Sequence, residues 1–211
     1  MEIAILLFDR LTALDAIGPY EVLSRIPNST VKFVAKQAGP VRTDQDSLAV
    51  TADYSLDEVS SPDIVVVPGG PGQSAFMNDE AILNWIRRAH ETSKWTTSVC
   101  TGSLLLGAAG LLKGLKATSH WLAYDVLRQL KAEPTAERVV IEGKIITAAG
   151  VSAGIDMALK LVALECGELI AQSIQLGIEY DPQPPFDAGS PSKAPAEIVE
   201  RMRNRSRFLM Q

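Results

Sequence analysis

The chain has 211 residues, 46% of them apolar, with 20 Lys and Arg against 25 Asp and Glu for a net charge of −5. Against a prior of about 150 residues per domain, that length suits one open α/β unit; the apolar content excludes wholesale disorder, and the negative balance disfavours a phosphate backbone as partner. No apolar run approaches the ~18 residues of a membrane span, "MEIAILLFDR" lacks a basic leader and a cleavage site, and two cysteines in unrelated surroundings point to a reducing cytoplasm with Cys100 and Cys166 unpaired.

Four short β-branched runs, "IAILLF" at 3–8, "VKFVA" at 31–35, "DIVVVP" at 63–68 and "WTTSV" at 95–99, predict strands covered on both faces of a mostly parallel sheet with crossover helices. Between the first two, "DAIGPYEVLSRI" spaces Ile17, Val22, Leu23 and Ile26 about a turn apart. This predicts a helix with Pro19 in its first turn, where a missing N–H does little harm. The stretch "PVRTDQDSLAVTAD" at 40–53 reads as a hairpin. "DEAILNWIRRAHE" at 79–91 is an amphipathic helix with Ile82, Leu83 and Ile86 inward and His90 on its solvated side. "GSLLLGAAGLL" is apolar all round, a helix buried against the sheet that Gly110 or Gly114 ends.

"RVVIEGKIITAAG" at 138–150 is a second hairpin, turning at Glu142 and Gly143. A long helix is then expected from Gly154 to about Tyr180. Its stripe runs through Ile155, Leu159, Val162, Cys166, Leu169 and Leu176, which puts Cys166 on the core side as a structural thiol. The Pro- and Gly-rich "DPQPPFDAGSPSKAP" at 181–195 cannot continue that helix. Residues 1–211 are therefore expected to form one domain, with a surface arm and a C-terminal helix at about 181–211. Arg201, Arg203, Arg205 and Arg207 would spread around that last helix, where cations suit the C-terminal end better than they form a nucleic-acid face.

Cys100 follows a predicted strand and opens a predicted helix, with Gly102 two places on. That is the setting of a sharp turn that lifts a nucleophile above a sheet. A core cysteine at a tight turn is the alternative, but the carboxyl ends of parallel strands are where such sheets place ligands. Helix N-terminal N–H groups are expected there to lower the thiol pKa and to hold developing negative charge. "VVVPGGPGQ" at 65–73 is by itself a flexible turn; beside Cys100, the N–H of Gly70 joins that of Thr101 as a candidate oxyanion donor. Of the two histidines, His90 belongs to a surface helix, and His120 in "ATSHW" fits either a place near the site or a structural role. Asp15 in "LTALDAIGPYE" stands where the first strand-loop unit ends, at the same sheet edge as Cys100. It suits a helix N-cap, and beside a sulfur, partly desolvated, it suits a carboxyl of raised pKa that passes protons near neutral pH. His, Cys and carboxylates show no metal-ligand spacing.

Together "LDAIGPYEVL", "VVVPGG", "SVCTGSLLLGAAGLLKGLKATSHW" and "AAGVSAGIDMALKLV" resemble the DJ-1/PfpI superfamily over nearly the whole chain. The resemblance implies a flavodoxin-like α/β sandwich, like that of class I glutamine amidotransferases, with a cysteine on a nucleophile elbow. It also implies a homodimer to which the proline-rich arm contributes. Aspartate at Asp15, Cys100-Thr101-Gly102 and the tail "LGIEYDPQPPFDAGSP" are most similar to the members that hydrate isocyanides to N-substituted formamides. That likeness implies Cys100 as nucleophile forming a thioimidate, Asp15 as general acid/base, and Thr101 acting through its hydroxyl or backbone. It further implies that Val151 in "AAGVSAG" offers a backbone N–H near the sulfur, with no metal and no cofactor; Ala149 stands where relatives often carry glycine. Proteolytic members have histidine directly after the cysteine, and Thr101 departs from them. AraC-type regulators share similar segments but continue into a helix-turn-helix, for which a chain stopping near Gln211 is expected to leave no room. Two rival functions are a ligand- or redox-sensing stress protein using Cys100 as a switch and a glyoxalase-type enzyme.

Overall fold

The computed structural model describes residues 1–206 and 208; Arg207, from the basic tail, lies outside the described residues, as do positions 209–211. The strands are β1 (Glu2–Leu6), β2 (Thr30–Ala35), β3 (Gly39–Arg42), β4 (Ala49–Ala52), β5 (Tyr54–Ser55), β6 (Ile64–Val67), β7 (Trp95–Val99), β8 (Lys116–Ala117), β9 (Glu133–Pro134), β10 (Val139–Glu142) and β11 (Ile145–Ala148). The helices are α1 (Ala13–Leu23), α2 (Gln73–Phe76), α3 (Glu80–Thr92), α4 (Gly102–Ala108), α5 (Tyr124–Gln129), α6 (Ala153–Cys166), α7 (Glu168–Gly177) and α8 (Ala196–Asn204).

Seven strands form the central sheet in the order β10-β11-β7-β6-β1-β2-β5, parallel except where β10 pairs antiparallel with β11. Ile3 to Leu6 and Ile64 to Val67 are buried along their whole length, which is why these strands read as unbroken apolar runs and not as alternating ones. The chain steps from β1 outward to β2, then reverses to β6 and β7. Crossovers of the right-handed kind usual for parallel strands put the connecting helices on opposite faces. Accordingly α6 packs with α1 and α7, while α4 packs with α3 and α5. The reversal opens a crevice at the carboxyl ends of β1, β6 and β7, the place where sheets of this kind bind ligands. Both predicted hairpins form, β3 with β4 and β10 with β11, the second turning at Gly143 with φ 59°.

Three expectations are corrected. Pro19 lies inside α1, well past its first turn, because the helix starts at Ala13. The long helix to Tyr180 is two helices, broken at Gly167, whose φ of 88° cannot continue a helix. The break resets the apolar stripe: Ala171 and Ile174 face inward, Leu169 and Leu176 are 77% and 78% exposed, and Cys166 is half-buried at the end of α6. His90 is half-buried, not solvated. Its Nδ1 lies 2.9 Å from Thr96 Oγ1, and burial holds its pKa below the usual value, with Lys144 acting in the same direction.

Candidate active site

Segments following β1, β6, β7 and β11 converge at the crevice. Cys100 comes directly after β7 with φ 56°, a left-handed conformation that non-glycine residues seldom adopt. The turn is held from both sides. The Cys100 N–H donates to the carbonyls of Ala148 (3.1 Å) and Ala149 (3.0 Å), while its own carbonyl accepts from Ser119 Oγ (3.0 Å) and Ser103 Oγ (3.2 Å). Such backbone strain persists where the surroundings over-determine it. The elbow also lies directly on the end of β6: a Cβ on Gly102 would stand 2.0 Å from the Val67 carbonyl oxygen, and one on Gly69 2.5 Å from the Thr101 nitrogen.

Thr101 locks these two segments together. Its Oγ1 accepts from the Gly70 N–H at 3.0 Å and donates to the Gly70 carbonyl at 3.4 Å, all buried. The Gly70 N–H, expected as an oxyanion donor, donates here to Thr101 Oγ1, and Gly70 lines the cleft at Cys100. The N–H groups directed to the Cys100 sulfur are those of Thr101 and Val151. Val151 holds φ 35°, an outlier for a β-branched residue. Its loop is pinned at Ala149, whose N–H donates to the Arg138 carbonyl at 2.9 Å and whose carbonyl receives the Cys100 N–H.

Asp15 is not the N-cap of α1. Thr12 holds that position, and its hydroxyl donates to Asp44 Oδ2 at 3.0 Å instead of capping the helix. Asp15 is fully buried. The Gly69 N–H donates to its Oδ2 at 2.9 Å. Oδ1 has no hydrogen bond of regular geometry among the described residues, although the Cys100 thiol is close enough to donate toward the carboxylate. Burial pushes the Asp15 carboxyl from 3.8 up to about 7; the Gly69 N–H and the thiol oppose the rise, and the nearby charge of Asp44 adds to it.

The Cys100 thiol is pushed up to about 12, first by burial and then by the negative charge of Asp15, against the N–H groups of Val151 and Thr101. This reverses the expectation of a lowered thiol. A handful of N–H groups at the start of the short helix α4 does not outweigh desolvation plus an adjacent carboxylate. With the carboxyl at about 7 and the thiol at about 12, the pair carries one proton between those values.

Cys100 is only 5% exposed, yet it lines a cleft of ≈ 500 Å³ together with Thr12, Asp44, Gly70, His120 and Val151. Both roles left open for His120 are filled. It stands in the cleft wall, and its Nδ1 accepts from the Leu122 N–H at 3.3 Å, capping the turn at Trp121–Ala123. Asp44 was missed from sequence, where "RTDQD" looks like any polar hairpin turn. A lone bridge between Leu11 and Thr43 folds that hairpin back onto the loop after β1, and no local signal separates Asp44 from Asp46. The outer wall, Met202 and Arg205 from the α8 region, was equally illegible. Among the described residues, no three His, Cys, Asp or Glu side chains gather as a metal site.

A doubly wound sheet with a strained cysteine after a central parallel strand, and a buried carboxyl beside it, defines the α/β proteins built on a cysteine nucleophile elbow. Residues 1–164 match the model of the DJ-1/PfpI family. The chain belongs to that family. It is 43% identical to the isonitrile hydratase of Pseudomonas putida over 206 residues, 98% of this chain and 90% of that protein. It is 29% identical to the HTH-type transcriptional regulator CdhR of Pseudomonas aeruginosa, over 75% of this chain and 48% of that protein. Among solved structures, a THiJ/PfpI family protein from Pseudomonas syringae superposes with a TM-score of 0.93 at 39% identity, covering 97% of this chain and 85% of that one. Drosophila melanogaster DJ-1beta shares the fold, with a TM-score of 0.77 at 22% identity over 84% of this chain and 97% of that one.

Proposed function

We propose that the protein is an isocyanide hydratase, converting R–N≡C and water to an N-substituted formamide. The likeness to the Pseudomonas putida isonitrile hydratase over nearly the full length of both chains carries this reading, and the coupled Cys100–Asp15 pair supplies chemistry that suits it. As Cys100 sulfur bonds to the terminal carbon of the isocyanide, its proton passes to Asp15, and Asp15 delivers it to that carbon. The product is a thioimidate, R–N=CH–S, on Cys100. A carboxyl with a pKa near neutrality is suited to accept and return that proton. Water then adds to the same carbon, with one of its protons going to nitrogen through the carboxyl, and collapse of the tetrahedral adduct passes the hydroxyl proton to sulfur, releasing the formamide and returning the thiol. The N–H groups of Thr101 and Val151 steady negative charge on sulfur as it enters and leaves. Thr101 also positions the elbow through its bonds to Gly70. The steps proposed need no metal or cofactor: each moves one proton, and the two protons of water replace the one that sulfur gave to carbon and supply the one on nitrogen.

The working form proposed is a homodimer in the cytoplasm. Leu169, Leu176 and Phe186, each more than three-quarters exposed, supply apolar surface that a second copy would cover, and both cysteines are unpaired. No helix among the described residues is long and apolar enough to cross a membrane.

Incubation with cyclohexyl isocyanide and identification of the product test the reading. Formamide formed by the wild type and not by Cys100→Ser supports it; no formamide above the Cys100→Ser background defeats it. A sensing role or a glyoxalase-type activity is the outcome that this second result would leave.

A further inference from the structure

A second cavity, ≈ 570 Å³, adjoins the cleft of Cys100, and the two share His120 and Val151 in their walls. That volume lies within the range of small-molecule sites. Its lining includes the aromatic rings of Trp121 and Tyr124 and the guanidinium groups of Arg138 and Arg203, and no carboxylate side chain, although acidic residues outnumber basic ones in the chain. Arg138 is already neutralised: its Nε donates to Asp156 Oδ2 at 2.7 Å and its Nη2 to Ser152 Oγ at 3.2 Å. Arg203, in the last turn of α8, has no ion pair among the described residues. Its guanidinium carbon lies 5.8 Å from the centre of the Trp121 ring, so a guanidinium stands over an aromatic plate one cavity away from the sulfur.

We infer that this chamber receives the R group of the substrate, and that the R group it takes best is an aromatic ring bearing a carboxylate. The ring would lie against Trp121 and Tyr124, and the carboxylate would meet the planar fork of Arg203, whose shape matches it for paired hydrogen bonds. His120 and Val151, which line both cavities, would border the route from the isocyanide carbon at Cys100 to the ring. The inference rests on the hydratase reading and sharpens it by naming the substrate class.

The test compares benzyl isocyanide with its para-carboxylate analogue, formamide production being measured for each. The wild type is expected to prefer the carboxylate by about tenfold or more in kcat/KM, mostly through KM. Arg203→Gln is expected to reduce that preference about tenfold, and Arg203→Glu to reverse it in favour of the para-aminomethyl analogue. A ratio near unity in the wild type, or one that Arg203→Gln and Arg203→Glu leave unchanged, overturns the inference while the hydratase reading stands. Absence of formamide from every isocyanide, including cyclohexyl isocyanide, removes the hydratase reading and this inference with it.

Discussion

Cys100 and Cys166 are the same chemical group in opposite circumstances. Cys166 ends α6 half-buried beside Gly167 and has the greater access to solvent. Cys100 is nearly closed off, yet it is the one whose backbone is held at φ 56° by four hydrogen bonds and whose sulfur faces a buried carboxyl. Exposure therefore does not mark the thiol proposed as nucleophile. What marks it is constraint: a strained turn, a committed set of donors and acceptors, and a partner whose titration is tied to its own.

The sharpest way to break that contrast is to remove each sulfur in turn. Cys100→Ser is expected to lower formamide production at least about 10³-fold, while Cys166→Ser leaves kcat/KM within about twofold and the melting temperature little changed. Comparable losses from both would erase the distinction between the two sites. Asp15→Asn comes next, with an expected loss of about 10²–10⁴-fold, the range of a general acid/base. The same variant carries a stability signature. The folded carboxyl titrates at about 7 against the ordinary 3.8, so the wild type loses stability as the pH rises through that interval and has lost it fully above it. Asp15→Asn removes the loss, and denaturant titrations should show the variant gaining on the wild type by a few kcal/mol at about pH 8 and not at about pH 4. A gain independent of pH would show that the carboxyl is not desolvated as described.

Smaller effects probe what holds the elbow. Gly102→Ala sets a methyl 2.0 Å from the Val67 carbonyl oxygen, so the turn must shift, with a cost of about 3 kcal/mol in stability and a lowered melting temperature. Thr101→Val removes the buried hydroxyl that bonds both the N–H and the carbonyl of Gly70, costing about 1–3 kcal/mol. Its activity should fall about tenfold as the elbow loosens. Unchanged stability in Thr101→Val would mean that the reciprocal bonds to Gly70 do not hold the two loops together.

The two ends of the chain differ in how much of this was legible. Strands β1, β2, β6 and β7 were readable because burial on both faces demands unbroken β-branched runs, and Cys100 and Asp15 were readable because each follows such a run at the same sheet edge. The resemblance to DJ-1/PfpI proteins then singled out Val151, a role that its own neighbours in sequence did not suggest. Helix α6 was misjudged because hydrophobic spacing continues across Gly167 while the backbone does not. Asp44 and the chamber walls at Trp121, Arg138 and Arg203 were invisible, since a hairpin turn, a 3-10 turn, a strand edge and the last helix meet only in three dimensions. The pKa of Cys100 was misjudged for a related reason: the helix start is local and visible in sequence, while desolvation depends on what folds over it.

The measurement that bears most directly on the coupled pair is the pH dependence of kcat/KM for hydration of cyclohexyl isocyanide. A pair that reacts when it holds one proton predicts a rate that rises as pH increases, with a midpoint at about 7, and then stays level well into the alkaline range. A profile flat between about pH 5 and 8, or one that falls across that range, would contradict the sharing of a proton between Cys100 and Asp15.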